Sequence, residues 1–404
     1  MKKTVFFLFI SIFFASCMQQ GFVTGREFVE EEPEIIEPKL TLMIYMAADN
    51  DLEAYALQNL RELKAGGCPQ VKVIVLLDRA EGYDETDGNW TDTRLFEVGN
   101  NSVRQLDCPQ LELSCNTRTE LDMSNHRVLK NFIDFCKDAY AAQRYALIIW
   151  GHGTGRAVAI DDKTQSYMSI HNLSIAVKDA GLSVIGFDTC FGGVIETVYE
   201  VRACSDYTVG SPSITLCTGW NYTALIKALE ECPFDSDSCN SYIAQCMSDV
   251  CASGATVFEN SRLDSLMFGI ENFAKELAVT VTDSVSQKSV YEALLNCRSY
   301  SYIQYPCDMF LDIYSMAELY SQSSIASLAA AAGALMEQTL GLQAGIYFIP
   351  KLSYSTTAVM HSMAYIKDES QTDQCAFVKE SRWWVPTLDG NSGSLLDKLF
   401  YTVF

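Results

Sequence analysis

Tyr145-Ala-Leu-Ile-Ile-Trp150 runs directly into Gly151-His152-Gly153, and Ser183-Val-Ile-Gly-Phe187 runs directly into Asp188-Thr189-Cys190-Phe191-Gly192-Gly193. Both are short apolar runs of strand length, closed by glycine punctuation. Each delivers one reactive residue just past its last apolar position. In a parallel α/β sheet the carboxyl ends of the strands form the rim where chemistry sits. His152 and Cys190, 38 positions apart in the chain, are therefore expected at one edge. A thiol beside an imidazole is the arrangement for nucleophilic catalysis. The pattern points to a cysteine hydrolase.

Outward from this pair, strands and helices alternate. Leu40-Thr-Leu-Met-Ile-Tyr-Met46 reads as a buried strand, and Asp49-Asn50-Asp51 then supplies capping groups for a helix over 51–64. Leu52, Tyr55, Ala56, Leu60 and Leu63 fall on one face of it. Val71-Lys-Val-Ile-Val-Leu-Leu77 is the second strand. Residues 78–122 are polar, with Gly82, Gly88 and Asn100-Asn101, and suggest a hairpin and loops. Ser124 is placed to cap a helix over 125–142 with Val128, Leu129, Phe132 and Cys136 inward. After the His strand come a loop, a helix over 171–180, the Cys strand, a helix over 194–203 and the strand Tyr207–Gly210. A helix opening just after Cys190 would favour its thiolate through the helix dipole. Alternation of this kind predicts an α/β fold with a mostly parallel central sheet flanked by helices. After about residue 260 it fades into helices and Gly345-Ile-Tyr-Phe-Ile-Pro350, which suggests a smaller, mixed C-terminal subdomain over 261–404.

Residues 1–17 read as an export signal. Lys2-Lys3 is a basic start, Thr4 to Phe14 an apolar stretch too short to span a bilayer comfortably, and Phe14-Ala-Ser-Cys17 resembles a bacterial lipobox. Cys17 would then carry lipid and anchor the chain to the cell envelope; with an ordinary signal the protein would be secreted. Residues 18–38, with Glu30-Glu-Glu-Pro33 and Glu37-Pro38, form an acidic extended tether. A net charge of −22 argues against nucleic acid as a partner. There are 15 cysteines, and outside the cytoplasm disulfides are permitted. Cys108/Cys115, Cys232/Cys239 and Cys297/Cys307 are close pairs in loop-like stretches, although connectivity is not readable from spacing. With four histidines (126, 152, 171 and 361) and no Cys-x-x-Cys spacing, zinc is not expected and no metal ligand is assigned.

Thr41-Leu-Met-Ile-Tyr-Met-Ala-Ala-Asp-Asn-Asp-Leu52, Trp150-Gly-His-Gly-Thr-Gly155 and Gly186-Phe-Asp-Thr-Cys190 resemble the clostripain family of cysteine peptidases, within the caspase-like clan. Asp206-Tyr-Thr-Val-Gly-Ser211, Gly219-Trp-Asn-Tyr222, Cys307-Asp-Met-Phe-Leu-Asp312 and Trp383-Trp384 extend the likeness over about residues 40–385. The resemblance implies a caspase-like fold, with a peptidase domain over 39–260. It implies that Cys190 attacks the scissile carbonyl, that His152 is its partner, and that the amides of Gly153 and Cys190 hold the oxyanion. It implies that Asp188 pairs with a substrate Arg or Lys and that the chain cleaves peptides; a monomer is expected. Ser211-Pro-Ser213 departs from the acid that family members often carry there. Internal cleavage after Lys163 or Arg156 is a further implication. So is calcium binding at Asp161-Asp162 or Asp49/Asp51, though no cofactor is required. Two other readings stay open: a cysteine α/β-hydrolase using the late His361, and a non-catalytic surface lipoprotein that binds peptides or partners on the same fold.

Overall fold

Along the strand Leu40–Ala48 (β1) every residue is buried, and alternate side chains enter two different cores. Leu42, Ile44 and Met46 face one way; Met43, Tyr45 and Ala47 face the other. This is why its sequence is apolar except at Thr41: a central parallel strand is covered on both faces. The protein is described by a computed structural model over residues 38–280, 282, 284–294, 296–298, 300, 309–340, 345–348, 384–386 and 392–394. The stretches read as an export signal with Cys17 and as a tether up to residue 37, together with Cys307 and His361, lie outside the described residues.

β1 is followed by Glu53–Ala65 (α1), Val71–Arg79 (β2), and the hairpin Thr93–Gly99 (β3) and Ser102–Leu106 (β4). Next come His126–Ala139 (α2), Arg144–Trp150 (β5), a small hairpin of Ala157–Asp161 (β6) and Ser166–Ser169 (β7), and Ile170–Val177 (α3). Leu182–Asp188 (β8), Ile195–Glu200 (α4), Ser205–Gly210 (β9), Tyr222–Leu229 (α5), Cys239–Asp249 (α6) and Thr256–Glu259 (β10) complete the main sheet region. The sheet order is β10-β9-β8-β5-β1-β2-β3-β4. The five strands from β9 to β2 pair in parallel, and antiparallel strands close both edges. The expected α/β architecture is thus the observed one.

On one face α1, α5 and α6 bury Ala56, Leu57, Leu225, Leu229, Ile243 and Met247. On the other, α2 and α3 bury Leu129, Phe132, Ile133, Leu173 and Val177. Each large side chain so buried contributes roughly 1.5–3 kcal/mol. A third core joins Ile195 and Val198 of α4 and Phe258 of β10 to Leu263–Val279 (α7), Ser284–Leu294 (α8), Ile313–Glu318 (α9) and Ala326–Thr339 (α10). Residues on both sides of position 260 therefore share one core. Met309–Asp312 (β11) pairs antiparallel with Gly345–Phe348 (β12).

Three local expectations change. Asn125, not Ser124, caps α2, its side chain accepting the Arg127 N–H; Ser124 instead bonds Asp122 and Ser166. The stretch read as a loop between His152 and Cys190 contains the β6–β7 hairpin. The helix after Cys190 begins only at Ile195 and is six residues long.

Candidate active site

β5 and β8 are hydrogen-bonded neighbours, with Trp150 opposite Asp188. The chain leaves both strands at the same edge. The Gly151 N–H donates to the Asp188 carbonyl at 3.3 Å. Two residues on, the backbones touch: a Cβ added at Gly153 would lie 2.6 Å from the Cys190 carbonyl oxygen and 2.8 Å from Thr189 Oγ1. Only glycine permits that approach. The structure thus brings together the His-Gly and Cys loops, as the strand-end reading requires.

His152 Nε2 lies 2.7 Å from Oδ1 of Asp51, which follows β1, and the imidazole is about one-third exposed. The Cys190 thiol is mostly covered and donates to the Thr215 carbonyl at 3.7 Å. In this conformation His152 is bonded to Asp51 and Cys190 to Thr215 rather than to each other. Burial raises the Cys190 pKa above its usual value, the charges of Cys217 and Asp188 add to this, and the bond to Thr215 opposes it. The expectation that a helix dipole ionises the thiol is therefore corrected: α4 is only six residues long, and desolvation dominates.

The Cys190 loop is held by backbone bonds. Phe191 N–H donates to Ser213 C=O at 2.9 Å and Gly193 N–H to Ser211 C=O at 2.8 Å. Phe191 sits at φ 57°, a left-handed conformation that costs a non-glycine residue on the order of 1 kcal/mol or more. Ser211-Pro-Ser213, which offers no acid, serves here as the brace for that turn.

Asp188 is buried beneath the segment 215–222. Its Oδ2 accepts the Trp220 N–H at 2.9 Å and the Tyr222 hydroxyl at 2.9 Å, while the buried Oδ1 has no partner. Burial pushes its pKa up to about 7; the bonds from Trp220 and Tyr222 pull it down, and Glu62 pushes it up. Gly219, at φ +67°, passes so close that a Cβ would lie 2.8 Å from Asp188 Oδ2 and 2.8 Å from Asn59 Oδ1. Asn59 accepts from the Trp150 indole N–H at 2.9 Å and donates to Thr218 C=O at 2.9 Å, tying the His strand to the same segment. Asp51 reads in the sequence only as a helix cap or calcium ligand, not as the partner of His152, and Asn59 and Thr215 carry no signal there. Their positions lie 101, 91 and 25 residues from the groups they contact, so no local pattern could reveal them.

A second acidic group lies near the ends of β1 and β2. One oxygen each from Asp49, Asp78 and Glu120 fall within 4.8 Å of one another. Asp49 and Asp78 are buried, and each keeps an Oδ2 with no partner. Burial, then the charges of Asp161 and Glu120, raise the Asp49 pKa to about 6, with Lys163 opposing. Burial likewise holds Asp78 well above the carboxylate range. Lys163 reaches the cluster through a 2.9 Å ion pair with Glu120. Of the residues expected to bind calcium, Asp49 lies in this group. Asp51 faces His152, and Asp161 accepts the backbone N–H groups of Thr164 and Met123. The all-carboxylate donor set with orphaned oxygens suits a hard cation such as calcium.

A parallel α/β sheet presenting a His and a Cys from adjacent strand ends defines the caspase-like class of cysteine peptidases. Residues 44–377 match the model of the clostripain family, and the chain belongs to that family. It is 29% identical to clostripain of Hathewaya histolytica over 223 residues, covering 48% of this chain and 42% of clostripain, so the match spans less than half of that relative. The fold resembles a secreted cysteine protease of Bacteroides thetaiotaomicron in complex with an irreversible peptide inhibitor, with TM-score 0.56 and 17% identity, covering 83% of this chain and 99% of that one. It also resembles an inactive zymogen protease of Parabacteroides distasonis, with TM-score 0.56 and 18% identity, covering 85% and 98%. At these identities the likeness is one of fold.

Proposed function

We propose that this chain is an exported cysteine endopeptidase in which Cys190 and His152 cleave peptide bonds after Arg or Lys. The observation that carries this is the backbone contact of Gly153 with Cys190, which sets the thiol and imidazole loops side by side. In this reading Asp51 orients His152 through Nε2, leaving Nδ1 for proton transfer. His152 takes the Cys190 proton as the thiolate attacks the scissile carbonyl. The amides of Gly153 and Cys190 receive the oxyanion. His152 then gives the proton to the leaving amine, and water releases the acyl group. The unpartnered Asp188 Oδ1 is the acceptor for a basic P1 side chain, whose guanidinium would supply the missing partner.

Lys163 lies in the turn of the β6–β7 hairpin and is half exposed, whereas the Arg156 carbonyl accepts the Ile170 N–H. Lys163 is thus the more open of the two positions for internal cleavage.

We also propose that Asp49, Asp78 and Glu120 bind calcium. A ligand taken up only by the folded state stabilises it by about 2.7 kcal/mol at 100 times its Kd. Calcium should raise the thermal midpoint by a few degrees, and Asp78→Asn should remove the response. A calcium-independent midpoint together with no retained ion on equilibrium dialysis would exclude the site.

Cys17 is proposed to be lipidated. Membrane fractionation without detergent should place the wild type with membranes and Cys17→Ser in the soluble fraction. A wild type already soluble defeats the anchoring.

A further inference from the structure

Cys232 lies in the turn after α5, and Cys239 is the first residue of α6. Their Sγ atoms are 3.5 Å apart, the only thiol pair in such contact among the described residues. Both are buried in the core that α5 and α6 lay on the sheet. Of the other two close pairs, Cys108 bonds Gln110 and Cys115 is exposed, while Cys307 is outside the described residues.

We propose that Cys232 and Cys239 form an intramolecular disulfide that clips the turn between α5 and α6. A disulfide needs a sulfur separation of about 2.05 Å. Side-chain rotation within a turn that already holds the two thiols together supplies the difference. The turn is ordered around them: Phe234 N–H donates to Cys232 C=O, Ser236 N–H to Pro233 C=O, and Cys239 N–H to Ser236 C=O. Ser238, which precedes α6, makes no side-chain cap bond, so the covalent link fixes a helix start that otherwise lacks one. That helix bears on the catalytic strand: Met247 Sδ would stand 3.1 Å from a Cβ placed at Gly186 of β8.

The clip lies at the sheet edge opposite the active site. Lys39, just before β1, pairs with Asp235 at 3.2 Å. Arg144, the first residue of β5, donates to Asn240 Oδ1 at 3.0 Å and to Ser236 C=O at 3.5 Å. Oxidation there leaves Cys190 untouched.

Closure is a thiol–disulfide exchange with a small disulfide such as oxidised glutathione. One Cys thiolate attacks it and expels one glutathione thiolate. The second Cys thiolate then attacks the mixed disulfide and expels the other. The two protein protons end on the two glutathione thiols, and the two electrons reduce the reagent. Because both thiols are buried once the chain is folded, closure belongs to folding.

The test uses purified protein refolded in oxidised and reduced glutathione, so it does not depend on where the chain resides. Free thiols are blocked with iodoacetamide under denaturing conditions, and the digest is read by mass spectrometry. The expected result is a Cys232 peptide linked to a Cys239 peptide. The thermal midpoint should fall by roughly 2–5 °C on reduction, and this shift should be absent in a Cys232→Ser/Cys239→Ser double variant. If both cysteines are alkylated in the glutathione-equilibrated wild type, or Cys232 is linked to Cys246 instead, the proposal is overturned. The wild-type map decides even if the double variant does not fold.

Discussion

Cys190→Ala and His152→Ala should each lower hydrolysis of an arginyl peptide by at least about 10⁴-fold, with similar losses because the two residues act as one unit. The reason is geometric. The thiol rests protonated in a largely buried position, so a nearby base must take its proton before attack. Neither side chain belongs to the three apolar cores: the imidazole is about one-third exposed, and the part-buried thiol donates one 3.7 Å bond to a carbonyl. The thermal midpoints should therefore stay near that of the wild type. If Lys163 is a site of self-cleavage, the wild type should resolve into two bands and the Cys190→Ala chain should remain one. Near-normal turnover by either variant would rule out the dyad.

The second large effect concerns Asp188. Its pKa is raised to about 7 from an ordinary value of 3.8. Below about pH 7 the carboxyl of the free enzyme holds its proton and offers a cation little. Above it the carboxylate is available. The specificity constant for Arg or Lys substrates should therefore climb as pH rises through about 7 and then level. Taking the ratio to a neutral P1 substrate cancels the titration of the dyad, which both substrates share. Asp188→Asn should abolish the climb in that ratio. Above pH 7 it should cost roughly 10- to 100-fold for basic substrates, from a charge-assisted bond worth about 1.5–3 kcal/mol, and much less for neutral ones. The same shift has a consequence for folding. The folded chain binds this proton more tightly than the unfolded one, so stability falls as pH rises from about 4 to about 7. Asp188→Asn should remove that contribution. A wild type that cuts best after neutral or acidic residues would defeat the assignment outright.

Much of this architecture can be read directly from the chain. The strands β1, β2, β5 and β8 carry apolar runs without polar alternation because both faces are covered, and each run ends where glycine or a polar residue begins. That alone places His152 and Cys190 on one edge. What escapes is non-local or close to a tie. Ser124 and Asn125 are both good caps, and the choice depends on Asp122 and Ser166 drawing the serine away. The β6–β7 hairpin is hidden because its turn, Asp161-Asp162-Lys163-Thr164, looks like any solvated loop. The resemblance singles out Asp188 but not its cover, since Trp220 and Tyr222 come from 32 and 34 residues away. Asp78 and Glu120 meet Asp49 through tertiary packing with no spacing to mark them.

The β6–β7 hairpin lies outside the eight-stranded sheet and separates the two reactive residues along the chain. A nick at its tip would yield two polypeptides, one carrying His152 and the other Cys190. Yet the ladder from Ala146–Val184 to Trp150–Asp188 crosses that divide, and both main cores draw side chains from either side of it. The nicked protein would thus migrate as one particle in gel filtration and separate into two bands only when denatured, its catalytic pair belonging to different molecules held by a shared interior.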